Sequence, residues 1–251
     1  MSSTAPTRPL VSRLRHRDLA LISLYWIAIG YLWQSLGTLI LPDLVQQLVG
    51  NADKGKALSV LEGIGTVMAV VWQPTVGAIS DRTHTRWGRR RPFIFVGTVG
   101  DLLFLLGIAL SGSYWLVVIF YFLLQIASNT AQGPYQGLLP DLVPWDQRGT
   151  ASGYYGLANL LGILLGTVGA GVVQASAGGG AALASIGLLL AVTMLPTVLL
   201  VPEGAGRPER WSSPWAAVRR TFTAPLGHPD FMWLMGSRLL ILICLVGIVW
   251  L

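Results

Sequence analysis

Four amides recur along one stretch of this chain, at Gln125, Asn129, Gln132 and Gln136. Spacings of four, three and four put them on one face of a helix. Their neighbours are apolar, so such a face points into a cavity rather than toward hydrocarbon. An amide both donates and accepts hydrogen bonds, which suits a solute that presents many hydroxyls. Tyr31 and Gln34, one turn apart, offer the same chemistry. The aromatic rings of Trp26, Trp33 and Tyr135 are of a kind that stacks on a flat apolar ring face. Two carboxylates, Asp101 and Glu62, lie inside apolar runs. Charge is expensive there, so each is a candidate to carry a proton or other coupled cation. No pair among His16, His84 and His228 has metal-ligand spacing, and Cys244 is the single cysteine, so no metal site and no intrachain disulfide are expected.

A second cluster has different chemistry. From Asp81 to Arg91 there are five arginines, Arg82, Arg86, Arg89, Arg90 and Arg91, within eleven residues of a chain that is only 11% charged. Such a loop cannot lie in hydrocarbon, so it marks a membrane surface. Gly77 precedes it and lets its helix approach a partner closely. Asp81 is placed to accept from a helix N-terminus or from the arginines. The arginines are suited to lipid phosphates as well as to carboxylates. Asp141 and Arg148, further along, are expected to join a charge network at the same surface.

The elements that must position these groups are membrane helices. Hydrophobic residues make up 53% of the chain, and the mean hydropathy is +0.62. A crossing needs roughly 20 mostly apolar residues. That ruler predicts spans over 19–49, 57–80, 92–112, 114–142, 151–175, 181–201 and 231–251. The runs are long and lack alternation of period two, which selects helices over a barrel. Gly162 and Gly166 predict a small-xxx-small helix contact. The +6 net charge does not point to nucleic acid, because the basic residues alternate between span ends. They fall in the tail, at 82–91, at 148 and at 207–220. The positive-inside rule then places the N-terminus and the 81–91, 143–150 and 202–229 segments in the cytoplasm. The domain expectation is a basic tail over 1–18, a six-span bundle over 19–201, a linker over 202–229 and a seventh span over 230–251. The last run stops in apolar sequence, which reads as truncation.

The loop wording carries a resemblance. Gly77-x-x-x-Asp81-Arg82 followed by Arg86-x-Gly88-Arg89-Arg90 resembles the cytoplasmic loop after the second span of the major facilitator superfamily. Gln73-Pro74 before it, Arg91-Pro92-Phe93-Ile94 after it, and Asn129-Thr-Ala-Gln132-Gly133-Pro134 are similar to the sucrose and glycoside–cation symporters. The resemblance implies an all-α integral membrane protein: the six-helix N-terminal bundle of that fold plus a truncated seventh helix. It implies a secondary transporter that moves a sugar or glycoside with a cation, expected to be H+, by alternating access. Its partners would be a sugar, a cation, membrane lipid and a missing C-terminal bundle in cis, with no cofactor and no nucleic acid. The expected location is a cell membrane, most simply a bacterial inner membrane. Two departures bear on coupling. Plant sucrose transporters carry an acid where this chain has Gln125 and an arginine near Gln136. Melibiose-type sodium symporters carry acids near Gln73. The alternatives are an efflux pump for amphipathic compounds, or a non-functional fragment. An enzyme is not expected, since neither His-Glu-x-x-His nor Gly-x-Ser-x-Gly occurs. A retinal protein lacks its lysine, the only lysines being Lys54 and Lys56.

Overall fold

A computed structural model describes residues 13–83, 85–201, 219, 223–237 and 240. The chain divides into two units, Met1–Gly206 and Arg207–Leu251. The expected tail up to residue 12, His84, most of the 202–229 linker and residues 241–251 of the expected seventh span lie outside the described residues.

The first unit is helical throughout its spans. Helices α1 (His16–Ser23) and α2 (Tyr25–Ser35) lead through a π-helical turn, Leu36–Ile40, into α3 (Leu41–Ser80). Then come α4 (Arg91–Ala109), α5 (Tyr114–Gln136), the short α6 (Leu138–Leu142) and α7 (Arg148–Leu200). The first helix opens where a carboxylate can answer its free amides: Asp18 Oδ2 accepts from the Arg15 backbone N–H at 3.1 Å. Pro92 stands in the first turn of α4, where a missing N–H costs no hydrogen bond.

Among the described residues four continuous helical stretches are long and apolar enough to cross a membrane, His16–Ser80, Arg91–Ala109, Tyr114–Leu142 and Trp145–Leu200. The first and last are far too long for one crossing. Each is broken at a glycine: Gly50 has φ 75° and ψ 175°, and Gly178 has φ 85° and ψ 173°. That region of backbone space is essentially closed to residues with a Cβ. The break at Gly178 turns the chain back on itself. Tyr31 N would be 3.0 Å from a Cβ on Gly162, and Tyr31 Oη bonds Ser185 Oγ at 2.8 Å. Along a straight helix residues 162 and 185 would stand about 35 Å apart. The four stretches therefore supply six rods. The connections expected over 50–56 and 176–180 shrink to one non-helical glycine each.

Packing follows the glycines and the apolar faces. A Cβ on Gly166 would meet Gln34 Cβ at 2.9 Å and Tyr31 O at 3.1 Å, and one on Gly162 would collide with Ile27 O. Here α2 and the 148–177 arm of α7 touch backbone to backbone. Leu32, Leu36, Leu124, Ile186 and Leu190 are fully enclosed in one cluster. Outside it Val67, Leu103, Ile119, Leu164, Val172 and Leu188 stand exposed. In water such a belt would be a defect; in a bilayer it is the lipid-facing surface.

In the second unit Ala224–Gly227 forms a 3-10 turn. Residues 229–237 form a helix, which exposes Phe231, Trp233 and Leu234.

Candidate functional site

A cavity of about 360 Å³ opens between the first helical rod, the 51–80 arm of α3 and α5. Alpha5 crosses α3 through Trp72 Nε1, which donates to Thr130 Oγ1 at 2.9 Å, and Tyr114 Oη, which donates to Ala57 O at 2.9 Å. Between these two ties, α5 turns its amides inward. Gln125, Asn129 and Gln132 line the cavity together with Trp33, Glu62 and Tyr121. They are pre-ordered by one another. Gln125 Nε2 donates to Tyr121 Oη at 2.7 Å. Asn129 Nδ2 donates to Gln125 O at 2.7 Å and to Gln125 Oε1 at 3.2 Å. Gln132 Nε2 donates to Ser128 Oγ at 2.9 Å. These bonds hold the side chains in place while leaving the Asn129 and Gln132 carbonyl oxygens as acceptors toward the cavity. Glu62 brings the one carboxylate among the lining residues.

Four candidate polar residues stand elsewhere. Gln136 ends α5, beyond Pro134, and is exposed outside the cavity. Tyr31 is buried against the 179–200 arm, and since Ser185 Oγ donates to Ala182 O at 2.7 Å, the tyrosine is the donor in its bond to Ser185. Gln34 Nε2 donates to Thr38 Oγ1 at 3.4 Å. The stripe of the first rod that reaches the cavity is Trp33, Leu36, Gly37 and Leu41. The stripe bearing Tyr31 and Gln34 packs on α7 instead. Asp101 is fully enclosed on α4 and does not line the cavity.

The arginine loop forms a second assembly at one end of the bundle. It turns tightly: Gly88 N donates to Thr85 O at 3.1 Å, Thr85 Oγ1 donates to Gly88 O at 2.6 Å, and Gly88 has φ 113°. The turn delivers Arg90 inward, where its side chain is only 6% exposed. Arg90 Nη2 donates to Asp81 Oδ1 at 2.8 Å, Nη1 to Pro134 O at 2.9 Å and Nε to Asp141 Oδ2 at 2.7 Å. One guanidinium thus joins the end of α3, the end of α5 and α6. Arg89 Nη2 also donates to Asp141 Oδ2. Arg91 donates to Val201 O and ties α4 to the end of α7. Arg148 Nη2 donates to Pro140 O at 3.0 Å, and its guanidinium lies 4.8 Å from the Trp145 ring centre. Gly77 faces Gly133 across the α3–α5 contact, where a Cβ would be 3.8 Å from Gly133 O. Arg86 is exposed and borders a separate cavity of about 300 Å³ with Trp87, Arg91 and Phe95. Arg82 is partly exposed.

A family model described as MFS/sugar transport protein matches residues 56–250, most of the chain. The chain belongs to the MFS/sugar transport protein family. As a member of that family it is a multi-pass membrane protein built from apolar helices. It is similar to sucrose transport protein SUC3 of Arabidopsis thaliana, 34% identical over 124 residues, which cover 41% of this chain and 21% of that protein. It is also similar to sucrose transport protein SUC4 of the same plant, 30% identical over 186 residues, 65% of this chain and 36% of that protein. Sucrose transport protein SUT1 of Oryza sativa subsp. japonica is 33% identical over 129 residues, 41% of this chain and 24% of that protein. The matched stretches thus span between 21% and 36% of the length of these relatives.

Within this family member the sequence pattern under-weighted several cavity residues. Gln73, Thr66 and Tyr121 line the cavity beside the amides. Gln73 stands in the sequence as part of the Gln73-Pro74 wording and not as a cavity residue, and Tyr121 signals itself only as a tyrosine one turn before Gln125.

Proposed function

We propose that this chain is the substrate-gripping bundle of a transporter that moves a sugar or glycoside across the membrane with a cation, H+ being the expected ion. The observation that carries this reading is the amide wall. Gln73, Gln125, Asn129 and Gln132 face one cavity that also holds Trp33 and Glu62. A sugar exchanges its hydration for such amides and stacks an apolar ring face on an aromatic. A cavity for amphipathic compounds would call for a mostly apolar wall. Similarity to sucrose transport proteins supports the substrate class.

In this reading the arginine loop faces the cytoplasm. The Arg90 assembly latches the ends of α3, α5 and α6 together and favours the outward-open arrangement. Alternating access then rocks this bundle against a second one that meets the open side of the cavity. Glu62, in the cavity, and Asp101, behind its wall, are the two carboxylates available for coupling.

The test is uptake by this bundle together with its second bundle, reconstituted in proteoliposomes, with sucrose and a methyl glucoside offered under an imposed pH gradient. Saturable sugar accumulation that a protonophore abolishes is the expected result. Export of amphipathic dyes without sugar uptake would replace this reading with an efflux pump.

A further inference from the structure

Asp101 is the one fully enclosed carboxyl among the described residues. It is 0% exposed, and neither carboxylate oxygen has a hydrogen-bond partner. No ion pair relieves it. Alpha2, α5 and the 179–200 arm of α7 contain no Asp, Glu, Lys, Arg or His. The other charged residue of α4, Arg91, is ten residues away, about 15 Å along the helix, and donates to Val201 O. The titratable group facing Asp101 from α2 is Tyr25. Its proton is committed elsewhere: Thr98 Oγ1 donates to Ile94 O at 2.7 Å, so in the 2.7 Å contact between Tyr25 Oη and Thr98 Oγ1 the tyrosine must donate. Tyr135 of α5 packs edge-on against Tyr25 at 5.0 Å and gives its proton to Ile22 O at 2.6 Å. A bare carboxylate here is an uncompensated buried charge, whereas the neutral acid is not.

One group beside Asp101 still has a proton to offer. The Ser128 hydroxyl of α5 faces the carboxyl, though outside hydrogen-bond geometry. Ser128 is itself buried, and its oxygen accepts from Gln132 Nε2 at 2.9 Å, so its own hydrogen is uncommitted. Gln132 in turn lines the cavity. A polar line therefore runs from the cavity wall, through Gln132 and Ser128, to an acid that nothing else satisfies.

We propose that Asp101 is the group that takes up and returns the coupled proton, and that Gln132 and Ser128 tie its protonation to occupancy of the cavity. The inference rests on the reading of the cavity as the solute site. The exchange is simple: the carboxylate gains one proton from water as the bundle opens, becomes the neutral acid, and later returns that proton to water. When a solute engages the Gln132 amide, the Ser128 hydroxyl loses its donor and reorients. The hydrogen it can offer Asp101 then turns toward or away from the carboxyl, and the carboxyl's hold on the proton changes with it. Glu62, exposed to the cavity mouth, then serves the solute rather than the proton.

The test is an infrared pH titration of the full chain purified in detergent, following the C=O stretch of protonated carboxyls, with sucrose binding measured in parallel by calorimetry. A pH-dependent band is expected that Asp101→Asn removes and Ser128→Ala shifts in frequency. Sucrose should move its midpoint several-fold in proton affinity, and Gln132→Ala should abolish that movement. A band unaffected by Asp101→Asn, or a frequency indifferent to Ser128→Ala, would overturn the proton site. If Asp101→Asn does not fold, the Ser128→Ala frequency decides alone. Sucrose binding that leaves the band unmoved overturns the link to the cavity. Absence of sucrose binding with the band intact overturns the sugar reading and leaves the proton site standing.

Discussion

Arg90 Nε donates to Asp141 Oδ2 at 2.7 Å, joining residues 51 positions apart in the chain. The same guanidinium reaches Asp81 and Pro134 O, and all three bonds leave it in different directions. Only a planar fork makes them together. Arg90→Ala should cost about 1.5–3 kcal/mol, because it removes the charged hydrogen bonds to Asp81, Asp141 and a helix-end carbonyl while both carboxylates stay partly exposed. Arg90→Lys should recover little of that loss. Arg13→Ala removes a mostly exposed pair with Asp146 and should cost about 0–1 kcal/mol. Thermal unfolding of the three variants in detergent checks the ranking.

Gly137 is the reason Arg90 can pass. A Cβ there would overlap the guanidinium carbon and nitrogens of Arg90. Gly137→Ala should therefore mimic Arg90→Ala in unfolding midpoint. The double variant should lose much less than the sum of the two single losses, because both act on one contact. Additive losses in the cycle would separate the two positions.

Asp141 accepts from both Arg89 and Arg90. In the proposed cycle this latch belongs to one arrangement of the bundle and not to the sugar site. Asp141→Ala should lower the sugar transport rate about tenfold while shifting the apparent KM less than twofold, the signature of a changed conformational step. Initial uptake rates against sugar concentration would show this split; unchanged kinetics on both counts would remove the latch from the cycle.

Gly162 meets Ile27 with no room for a side chain. Gly162→Leu should force α2 and the 148–177 arm apart and lower the yield of folded protein sharply. Ala158→Leu, one turn earlier at another buried position of the same helix, should be milder, since that position already accommodates a Cβ. Size-exclusion profiles of the two variants compare them directly.

Much of the bundle is legible in the residues themselves. Apolar runs of membrane length mark the rods, and the amide spacing on α5 marks the cavity wall because 3.6 residues per turn stack 125, 129 and 132 on one side. Asp141 signals its meeting with the loop arginines by charge alone. What periodicity does not reveal is which polar stripe of a helix faces which neighbour. Tyr31 and Gln34 share a face, yet that face packs on α7, because Gly162 and Gly166 draw the two backbones together there. Nor does a spacing rule place an end: Gln136 keeps the register of its stripe but lies past Pro134, where α5 leaves the cavity. The tight turns at Gly50 and Gly178 are equally hidden, since a glycine inside an apolar run reads as helix packing until its φ is known.

The central claim is that the amide wall binds a sugar. Equilibrium binding of radiolabelled sucrose to the purified full chain tests it most directly, with Asn129→Ala as the comparison. Asn129 is held by Gln125 and keeps its carbonyl oxygen toward the cavity, so its loss should remove one sugar hydrogen bond and disturb its neighbour. The expected result is saturable binding that weakens about tenfold in Asn129→Ala, corresponding to about 1.4 kcal/mol. No saturable binding, or binding equally tight in the variant, would contradict the account.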